Sequence, residues 1–180
     1  MGRKRKIETF IMIALLKYTC YNTKIGGIAM LFRKAKISDV EDIYSLILSY
    51  AEKGLMLARP RAMLYEHIRE FIIAQKDNKI IGVGGLHIAW EDLAEIRSLV
   101  IDERHQKGGI GRKIIEHLLN EAKEIGVSRV FTLTYQIDFF KKCGFELIKK
   151  EDLPNKVWRD CINCPKFPNC EENAMMIEFQ

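Results

Sequence analysis

A polar, glycine-rich loop with the sequence DERHQKGGIG (102–111) holds the residues whose types and spacing most clearly indicate chemistry. Its pattern, Gln106-x-x-Gly109-x-Gly111, stands between a strand-like and a helix-like segment. Glycines let successive backbone N–H groups point into one concavity, and the start of the following helix adds unpaired N–H groups and a positive dipole end. The loop therefore predicts a site for a phosphate-like anion. It lacks the Lys-Ser/Thr pair of a Walker loop and the Gly-x-Gly-x-x-Gly spacing of a dinucleotide fingerprint, and a plain glycine turn is the alternative.

A second group of reactive residues is the cluster Cys161-x-x-Cys164-x5-Cys170. A Cys-x-x-Cys turn is a common half-site for zinc, so these three cysteines are a candidate zinc site. Its fourth ligand would be Cys143 or Glu171. An iron–sulfur cluster, a redox pair of the first two cysteines, and reduced cysteines that pack a loop are the alternatives that the sequence leaves open.

Hydrophobic periodicity predicts the elements that must position these residues. Ser38 and Glu41 form a capping box that starts a helix, Gly54 ends that helix, and Asp77-Asn78 forms a hairpin turn. Glycines 82, 84 and 85 lie inside a predicted strand, where they allow a bulge or a close backbone approach. The predicted strands are 31–35, 72–75, 79–89, 94–101, 129–135, 145–149 and 174–179, and helices are predicted to begin near 39, 61, 112 and 137. This order predicts an α/β (α+β) fold with a mixed sheet covered by helices.

The composition restricts the class of protein. With 180 residues, of which 48% are hydrophobic and 29% charged, the chain is predicted to form one globular domain rather than a disordered or fibrous protein. Its net charge of +5 comes largely from residues 3–6. No basic face with interleaved aromatic residues is present, which argues against a nucleic-acid partner. No stretch approaches the roughly 20 apolar residues of a membrane helix, so no membrane partner is expected.

The first 29 residues are predicted to be an extension of the domain. Residues 1–6 are basic and 10–16 are apolar, which imitates a targeting signal, but the apolar run is short and no small-residue cleavage pattern follows. Residues 24–29 have the composition of a linker, and Met30 opens a typical domain start. We therefore expect residues 1–29 to be dispensable, residues 30–180 to form the domain with a Cys-rich loop at 161–170, and the protein to be cytoplasmic.

Two motifs at the right separation resemble one enzyme family. Residues 95–101, the glycine-rich loop and the helix from Arg112 resemble the acetyl-CoA motif of the GNAT N-acetyltransferases, and FFKKCGF (139–145) resembles their second signature, a short helix that ends in Gly-Phe. Residues 33–35, 54–59, 94–96, 133–134 and 153–154 resemble the acetyltransferase domain of N-acetylglutamate synthases, without their kinase-like domain. The implied fold is a mixed, mostly antiparallel sheet with flanking helices and a splayed acetyl-CoA cleft.

The resemblance implies which residues bind acetyl-CoA. Backbone groups of Leu99, Val100 and Ile101 would hold the pantetheine and the thioester. The other side of the channel would be lined by Phe139, Phe140 and Lys142. Backbone N–H groups would hold the pyrophosphate, and they belong to Gln106, Lys107, Gly108, Gly109, Ile110, Gly111 and Arg112.

The resemblance also implies catalytic and acceptor roles. The Val100 N–H would stabilise the oxyanion, and Glu95 would act as base through water, although a solvated strand-edge carboxylate is the alternative. Arg59 would pair with the acceptor's α-carboxylate, and its alternative is a surface arginine before a proline. Lys156 lies near the place of the family's basic residues. Phe140 stands where many family members have a tyrosine that protonates the leaving thiolate, which leaves the general acid open.

The function implied by the resemblance is transfer of the acetyl group of acetyl-CoA to the α-amine of an amino acid. L-Glutamate is the favoured acceptor, which would make the reaction the first step of arginine biosynthesis. The alternatives are another amine, such as glutamine, a polyamine or a protein N-terminus, and a non-catalytic acyl-CoA or metal sensor. The sequence leaves open whether the chain forms a homodimer.

Overall fold

A computed structural model describes residues 20–25, 27–154, 162, 164, 166 and 168–179. The described strands are β1 (Cys20–Ile25), β2 (Ile28–Lys34), β3 (Phe71–Lys76), β4 (Lys79–Ile88), β5 (Leu93–Ile101), β6 (Arg129–Thr134), β7 (Glu146–Ile148) and β8 (Asn173–Glu178). The helices given bounds among the described residues are α1 (Val40–Ala51), α2 (Arg61–Glu66), α3 (Ile110–Glu124) and α4 (Ile137–Lys142). The described strands follow one another in the sheet as β1-β2-β3-β4-β5-β6-β8-β7.

Strand pairing makes the sheet mixed and mostly antiparallel. β2 is antiparallel to β1 and to β3, and β8 is antiparallel to β6 and to β7, whereas β5 and β6 run parallel. The fold class predicted from the element order is therefore confirmed. The chain divides into two compact units, one with the described residues up to Val83 plus Val100–Ile114, the other with Gly84–Leu99 and the described residues from Ile115.

The first unit has its core under α1. Val40, Ile43 and Ile47 of this helix are at most 1% exposed, and they recur at the helical spacing that predicted this face. They pack in one cluster with residues of α2, β3, β4 and β5, including Leu64 and Ile73. Each fully buried aliphatic side chain stabilises the fold by about 1.5–3 kcal/mol, so this cluster fixes α1 on the sheet.

Gly82 lets α3 approach β4 closely. A Cβ built at Gly82 would lie 2.8 Å from Ile101 Cδ1 and 3.2 Å from Ile114 Cδ1. The sequence predicted either a bulge or a close backbone approach at this glycine, and the close approach is confirmed. The first turns of α3, which follow the glycine-rich loop, thus pack on a strand that offers no side chain there.

The start of α1 differs from the predicted capping box. A short 3-10 turn, Ile37–Asp39, precedes the helix, and Asp39 rather than Ser38 makes the capping contacts. The Asp39 carboxylate accepts the Lys36 N–H at 2.7 Å and binds the Arg33 guanidinium through two contacts of 2.6 and 3.0 Å. The predicted Ser38 cap is therefore wrong, because a strand residue supplies a charged partner that no local pattern reveals.

Residues 20–25 belong to the sheet as β1, and residues 28 and 29 belong to it as the start of β2. β1 pairs with β2 in a hairpin whose register places Tyr21 opposite Phe32, and Gly27 turns the chain with a φ of 83°. The predicted linker at 24–29 is therefore wrong where the structure describes it, and the predicted domain start at Met30 lies inside β2. The Asp77-Asn78 turn is confirmed, because both residues have the positive φ (48° and 61°) of a type I′ hairpin.

The second unit is built around β6 and β8. Leu93, Phe131, Leu153, Ala174 and Met176 form its buried cluster. Six residue pairs join β6 to β8, from Arg129 opposite Glu178 to Thr134 opposite Asn173. This pairing holds the carboxyl end of β6, from which the chain enters α4.

Candidate active site

Asp102 fixes the start of the loop that follows β5. Its N–H donates to Ile81 O of β4 at 2.8 Å, and its carboxylate accepts the Arg104 N–H at 3.0 Å. The Arg104 guanidinium (2.9 Å) and His105 Nδ1 (3.3 Å) contact the same carboxylate. The hydrogen bond from Arg104 holds the pKa of Asp102 far below its usual range, so the carboxylate stays ionised. These contacts form the turn that leads into the glycines.

The glycine-containing part of the loop has left-handed backbone at two positions. Lys107 has a φ of 60° and Gly109 a φ of 83°, and residues 106–109 are exposed. The Lys113 N–H donates to Gly109 O at 3.1 Å, which is the first helical hydrogen bond of α3. The first N–H groups of a helix have no partner within it. The first turn of α3 holds Arg112 and no acidic residue, so none of its own side chains repels an anion.

Tyr50, near the end of α1, binds the residues on both sides of the turn 102–105. Its hydroxyl donates to Ile101 O and accepts from Gln106 Nε2, each at 2.6 Å. Burial raises the pKa of Tyr50, so the hydroxyl stays protonated. Lys53, three residues later, forms an ion pair with Glu103. No sequence pattern indicates these contacts, because tyrosine and lysine residues on a helix are not distinctive.

β5 has a bulge at Ser98. Ser98 has a φ of 55°, and three consecutive residues, Ile96–Ser98, are buried, which breaks the alternation of a regular strand. Left-handed backbone costs a non-glycine residue about 1–2 kcal/mol and persists only where the surroundings impose it. Val100, the predicted oxyanion donor, follows two residues later with a side chain 2% exposed. Sequence reasoning missed this bulge because no glycine marks it.

The remaining predicted residues of β5 and α4 lie in the second unit. Glu95 is partly buried and lies opposite Phe131 of β6. Phe140 is 4% exposed, and its ring makes edge-to-face contacts with Phe139 and Phe145, with centroids 5.2 Å apart in each case. Phe140 therefore packs under Phe139, which is partly exposed, and Lys142 is exposed.

Arg59 lies just before α2, in the first unit. It is partly buried, and its guanidinium contacts Met63 Sδ at 3.4 Å. Arg61, two residues later, is exposed and has different partners: its guanidinium stacks on the Tyr44 ring at 3.7 Å and pairs with Glu41. The arginine singled out from the sequence is thus the more enclosed of the two.

The structure describes part of the Cys-rich loop. Cys161 and Lys156 lie outside the described residues, and Cys164 and Cys170 are unbridged thiols within them. The Cys164 sulfur accepts the Lys166 N–H at 3.4 Å. Neither described cysteine of the loop belongs to a group of three metal-ligand side chains among the described residues, so the zinc prediction gains no support.

The Cys-rich loop is attached to Tyr135, the residue that follows β6, by a contact that the sequence did not reveal. Lys166 Nζ donates to the Tyr135 hydroxyl at 3.0 Å and lies 4.9 Å from the centre of its ring. This hydrogen bond raises the pKa of Lys166. Lys150 Nζ also donates to Cys170 O at 2.6 Å. The loop is therefore held at two points within the second unit.

Comparison with known proteins identifies the family. The sequence profile of the Acetyltransferase (GNAT) family matches residues 38–145. An uncharacterized N-acetyltransferase of Chlorobaculum tepidum is 41% identical over 144 residues, which are 80% of this chain and 93% of that protein. An amino-acid acetyltransferase of Mycobacterium tuberculosis is 38% identical over 120 residues, 65% of this chain and 68% of that protein.

A solved structure gives the same result. N-acetylglutamate synthase from Neisseria gonorrhoeae, in complex with coenzyme A and N-acetyl-glutamate, superposes with a TM-score of 0.77 at 28% identity, and the match covers 84% of this chain and 35% of that one. The chain thus spans about a third of the synthase. In the part of the chain that the structure describes, no helix is long and apolar enough to cross a membrane.

The chain belongs to the acetyltransferase (GNAT) family. It is an acetyl-CoA-dependent acyltransferase with the mixed, open sheet of that family, and both predictions are confirmed.

Proposed function

We propose that the protein transfers the acetyl group of acetyl-CoA to the α-amine of an amino acid, with L-glutamate as the acceptor. The observation that carries the proposal is the loop at 106–109, whose left-handed backbone leads into a helix start without acidic residues. This geometry suits a pyrophosphate. The similarity to an amino-acid acetyltransferase and to N-acetylglutamate synthase supports an amino acid as the acceptor.

On the cofactor side, the residues act mainly through their backbone. N–H groups of residues 106–112 bind the pyrophosphate, and backbone groups of residues 99–101 hold the pantetheine and the thioester. Phe139 and Lys142 line the channel, and the buried ring of Phe140 supports Phe139 from within the second unit. The exposed basic residues Lys107 and Arg112 add positive charge beside the phosphates.

The chemical step is direct attack by a neutral amine. Glu95 takes a proton from the α-ammonium through a water molecule. The amine nitrogen then forms a bond to the thioester carbon, and the C–S bond breaks with its electron pair leaving on the CoA sulfur. The second proton that the nitrogen loses as the amide forms passes through water to this thiolate. The Val100 N–H donates to the carbonyl oxygen as negative charge develops on it. A thiolate is a good leaving group, so the phenylalanine at 140 removes no required acid.

Arg59 binds the acceptor's α-carboxylate, because its planar guanidinium can make two parallel hydrogen bonds to a carboxylate. Lys156 contributes further positive charge to the acceptor. The product of the proposed reaction, N-acetylglutamate, is the product of the first step of arginine biosynthesis. We propose that the reaction takes place in the cytoplasm.

The test is a panel of acceptors with acetyl-CoA, read by release of the CoA thiol. The panel contains the twenty amino acids, a polyamine and a peptide with a free N-terminus. We expect glutamate to give the highest kcat/KM, and Glu95→Gln to lower kcat for it. A higher kcat/KM for glutamine, the polyamine or the peptide would replace glutamate as the acceptor. CoA binding without turnover of any acceptor would favour an acyl-CoA sensor.

A further inference from the structure

We propose that Tyr50 is a positioning residue for acetyl-CoA, which acts by holding Gln106 and so the start of the pyrophosphate loop. The proposal rests on the proposed function, since it takes residues 106–112 as the acetyl-CoA site. No motif marks Tyr50, and it belongs to a helix that does not border the glycines in sequence.

The Tyr50 hydroxyl donates one hydrogen bond and accepts another. A phenol has a single proton, and the 2.6 Å contact to Ile101 O requires that this proton goes to the carbonyl. The oxygen is then free to accept from Gln106 Nε2, also at 2.6 Å. Hydrogen bonds in such a chain polarise and strengthen one another. The last residue of β5 and the first residue of the loop pattern are therefore joined through one hydroxyl.

A second contact from the same helix end restricts the loop further. Lys53 lies one turn after Tyr50 and pairs with Glu103, which is in the turn between Ile101 and Gln106. The contact is exposed, so its own contribution is small. The ion pair matters for the geometry, because it fixes the end of α1 and the turn before Gln106 relative to each other.

The consequence for binding follows from the position of Gln106. The next residue, Lys107, already has left-handed backbone, so the direction of the following N–H groups depends on where Gln106 is held. Gln106 is exposed, and without Tyr50 its side chain would sample several rotamers. If the loop is already ordered before acetyl-CoA binds, less of the interaction free energy is lost in ordering it. Tyr50 thus lowers the cost of binding acetyl-CoA without touching it.

The first test is Tyr50→Phe, which keeps the ring in the α1 core and removes only the hydroxyl. We expect the Kd for CoA and the acetyl-CoA KM to rise about five- to tenfold, the amount expected for one lost hydrogen bond. The glutamate KM and kcat should stay within about twofold of the parent, whereas a loss of folded protein would lower the apparent kcat and leave both KM values unchanged. Tyr44→Phe, which removes a hydroxyl from the same helix, is the matched control and should leave both KM values unchanged.

The second test is a double-mutant cycle with Gln106→Leu. Because Gln106 is exposed, this variant is expected to fold even if Tyr50→Phe does not. It should raise the Kd for CoA as Tyr50→Phe does, and the double variant should bind no more than about twofold more weakly than either single one. Additive effects, or parental CoA binding by either single variant, overturn the positioning role.

The two proposals fail in different ways. If Tyr50→Phe binds CoA normally while Gly109→Ala binds it weakly, the loop is the CoA site and only the positioning role is wrong. If Gly109→Ala also binds CoA normally, or the parent binds no CoA, the assignment of the loop is wrong and both proposals are overturned.

Discussion

Arg59 is the residue on which the proposed choice of acceptor depends. Arg59 is partly buried and its guanidinium contacts Met63 of α2. The nearby Arg61 is exposed, stacks on Tyr44 and pairs with Glu41. A partly enclosed arginine can form a stronger pair with a carboxylate than an exposed one, because water screens it less. Arg61 therefore serves as the matched control for Arg59.

Arg59→Ala is expected to raise the glutamate KM roughly ten- to a hundredfold, because a charged hydrogen-bonded pair supplies roughly 1.5–3 kcal/mol. The acetyl-CoA KM should change little, and Arg59→Lys should recover only part of the loss. Arg61→Ala should leave both KM values close to the parent's. Steady-state kinetics with both substrates checks this. Equal rates for glutamate and its α-amide with the parent enzyme would show that Arg59 is not a carboxylate ligand.

Gly109 tests the pyrophosphate loop. Among the described residues, no atom lies within 4 Å of a Cβ built there, so Gly109→Ala introduces backbone strain (φ 83°) rather than a clash with them. We expect a weaker affinity for CoA, because the strained loop changes direction and the added methyl group meets the phosphate. Gly126→Ala is the control, because Gly126 has the same backbone (φ 86°) and the same open space at the far end of α3.

Both glycine variants should lose about 1–2 kcal/mol of unfolding free energy from the left-handed backbone. Calorimetric titration should show weaker CoA binding only in Gly109→Ala. Equal CoA affinities in the two variants would remove the loop from the binding site.

At the residue scale, backbone features marked by glycine spacing could be predicted from the sequence. Features imposed by tertiary packing could not. The loop at 106–112 was predictable because only glycine is common where the backbone is left-handed. The bulge at Ser98 has the same kind of backbone without glycine, so nothing in the sequence marked it. The contact of Lys166 with Tyr135 was also not predictable, because it joins residues 31 positions apart.

At the scale of elements, α1 depends on the pair of Arg33 and Asp39. The two side chains are 12% and 10% exposed, and Arg33 Nε also donates to Gln75 Oε1 at 3.1 Å. The hydrogen bond from Arg33 lowers the pKa of Asp39, against the opposing effect of burial. The pair connects β2, β3 and the start of α1, so we expect it to contribute to stability rather than to catalysis.

Asp39→Asn should lower the unfolding free energy at pH 7 by roughly 1.5–3 kcal/mol, the value of a hydrogen bond to a charged group. Because the pKa of Asp39 is lower in the folded protein than the ordinary value of about 3.9, its stabilisation is complete above that pH and is lost as the pH falls through the folded-state pKa. Urea unfolding of the parent and the variant should therefore converge toward low pH. Asp42→Asn, an exposed change in the first turn of α1, is the control. A difference between parent and Asp39→Asn that stayed constant with pH would contradict the ionised pair.

The presence of the main helices and strands could be predicted, because the spacing of their apolar residues reflects which side chains the core buries. The buried face of α1 follows from its hydrophobic pattern. The ends of α1, β4 and β5 lie within one or two residues of the prediction. Element starts were less predictable. The cap of α1 involves Arg33 from another element, and β1 carries no strong strand pattern, because it gains its structure by pairing with β2.

At the scale of the whole molecule, the sheet includes more of the chain than the sequence indicated. Residues 20–29 were predicted to lie outside the domain, but β1 contributes six residue pairs to the sheet edge beside β2. Phe32, opposite Tyr21, is completely buried. The order of elements was enough to predict the fold class, since it depends on the central strands and helices, whereas the true limit of the sheet depends on backbone pairing that composition does not show.

Two truncations separate the predicted extension from the added strand. Removal of residues 1–19, which belong to the extension that the sequence predicts to be dispensable, should leave the unfolding free energy within about 0.5 kcal/mol of the parent. Removal of residues 1–27 also takes away β1, and it should cost roughly 1–6 kcal/mol, since each cross-strand pair contributes roughly 0.2–1 kcal/mol. Both variants should keep the parent's affinity for CoA, because the loop at 106–112 lies between β5 and α3 and is held by a hydrogen bond from α1, and none of these elements is removed. Urea unfolding and calorimetric CoA titration of the three proteins check this. Equal stability of the two truncated proteins would mean that β1 adds nothing and that the whole segment 1–27 is dispensable.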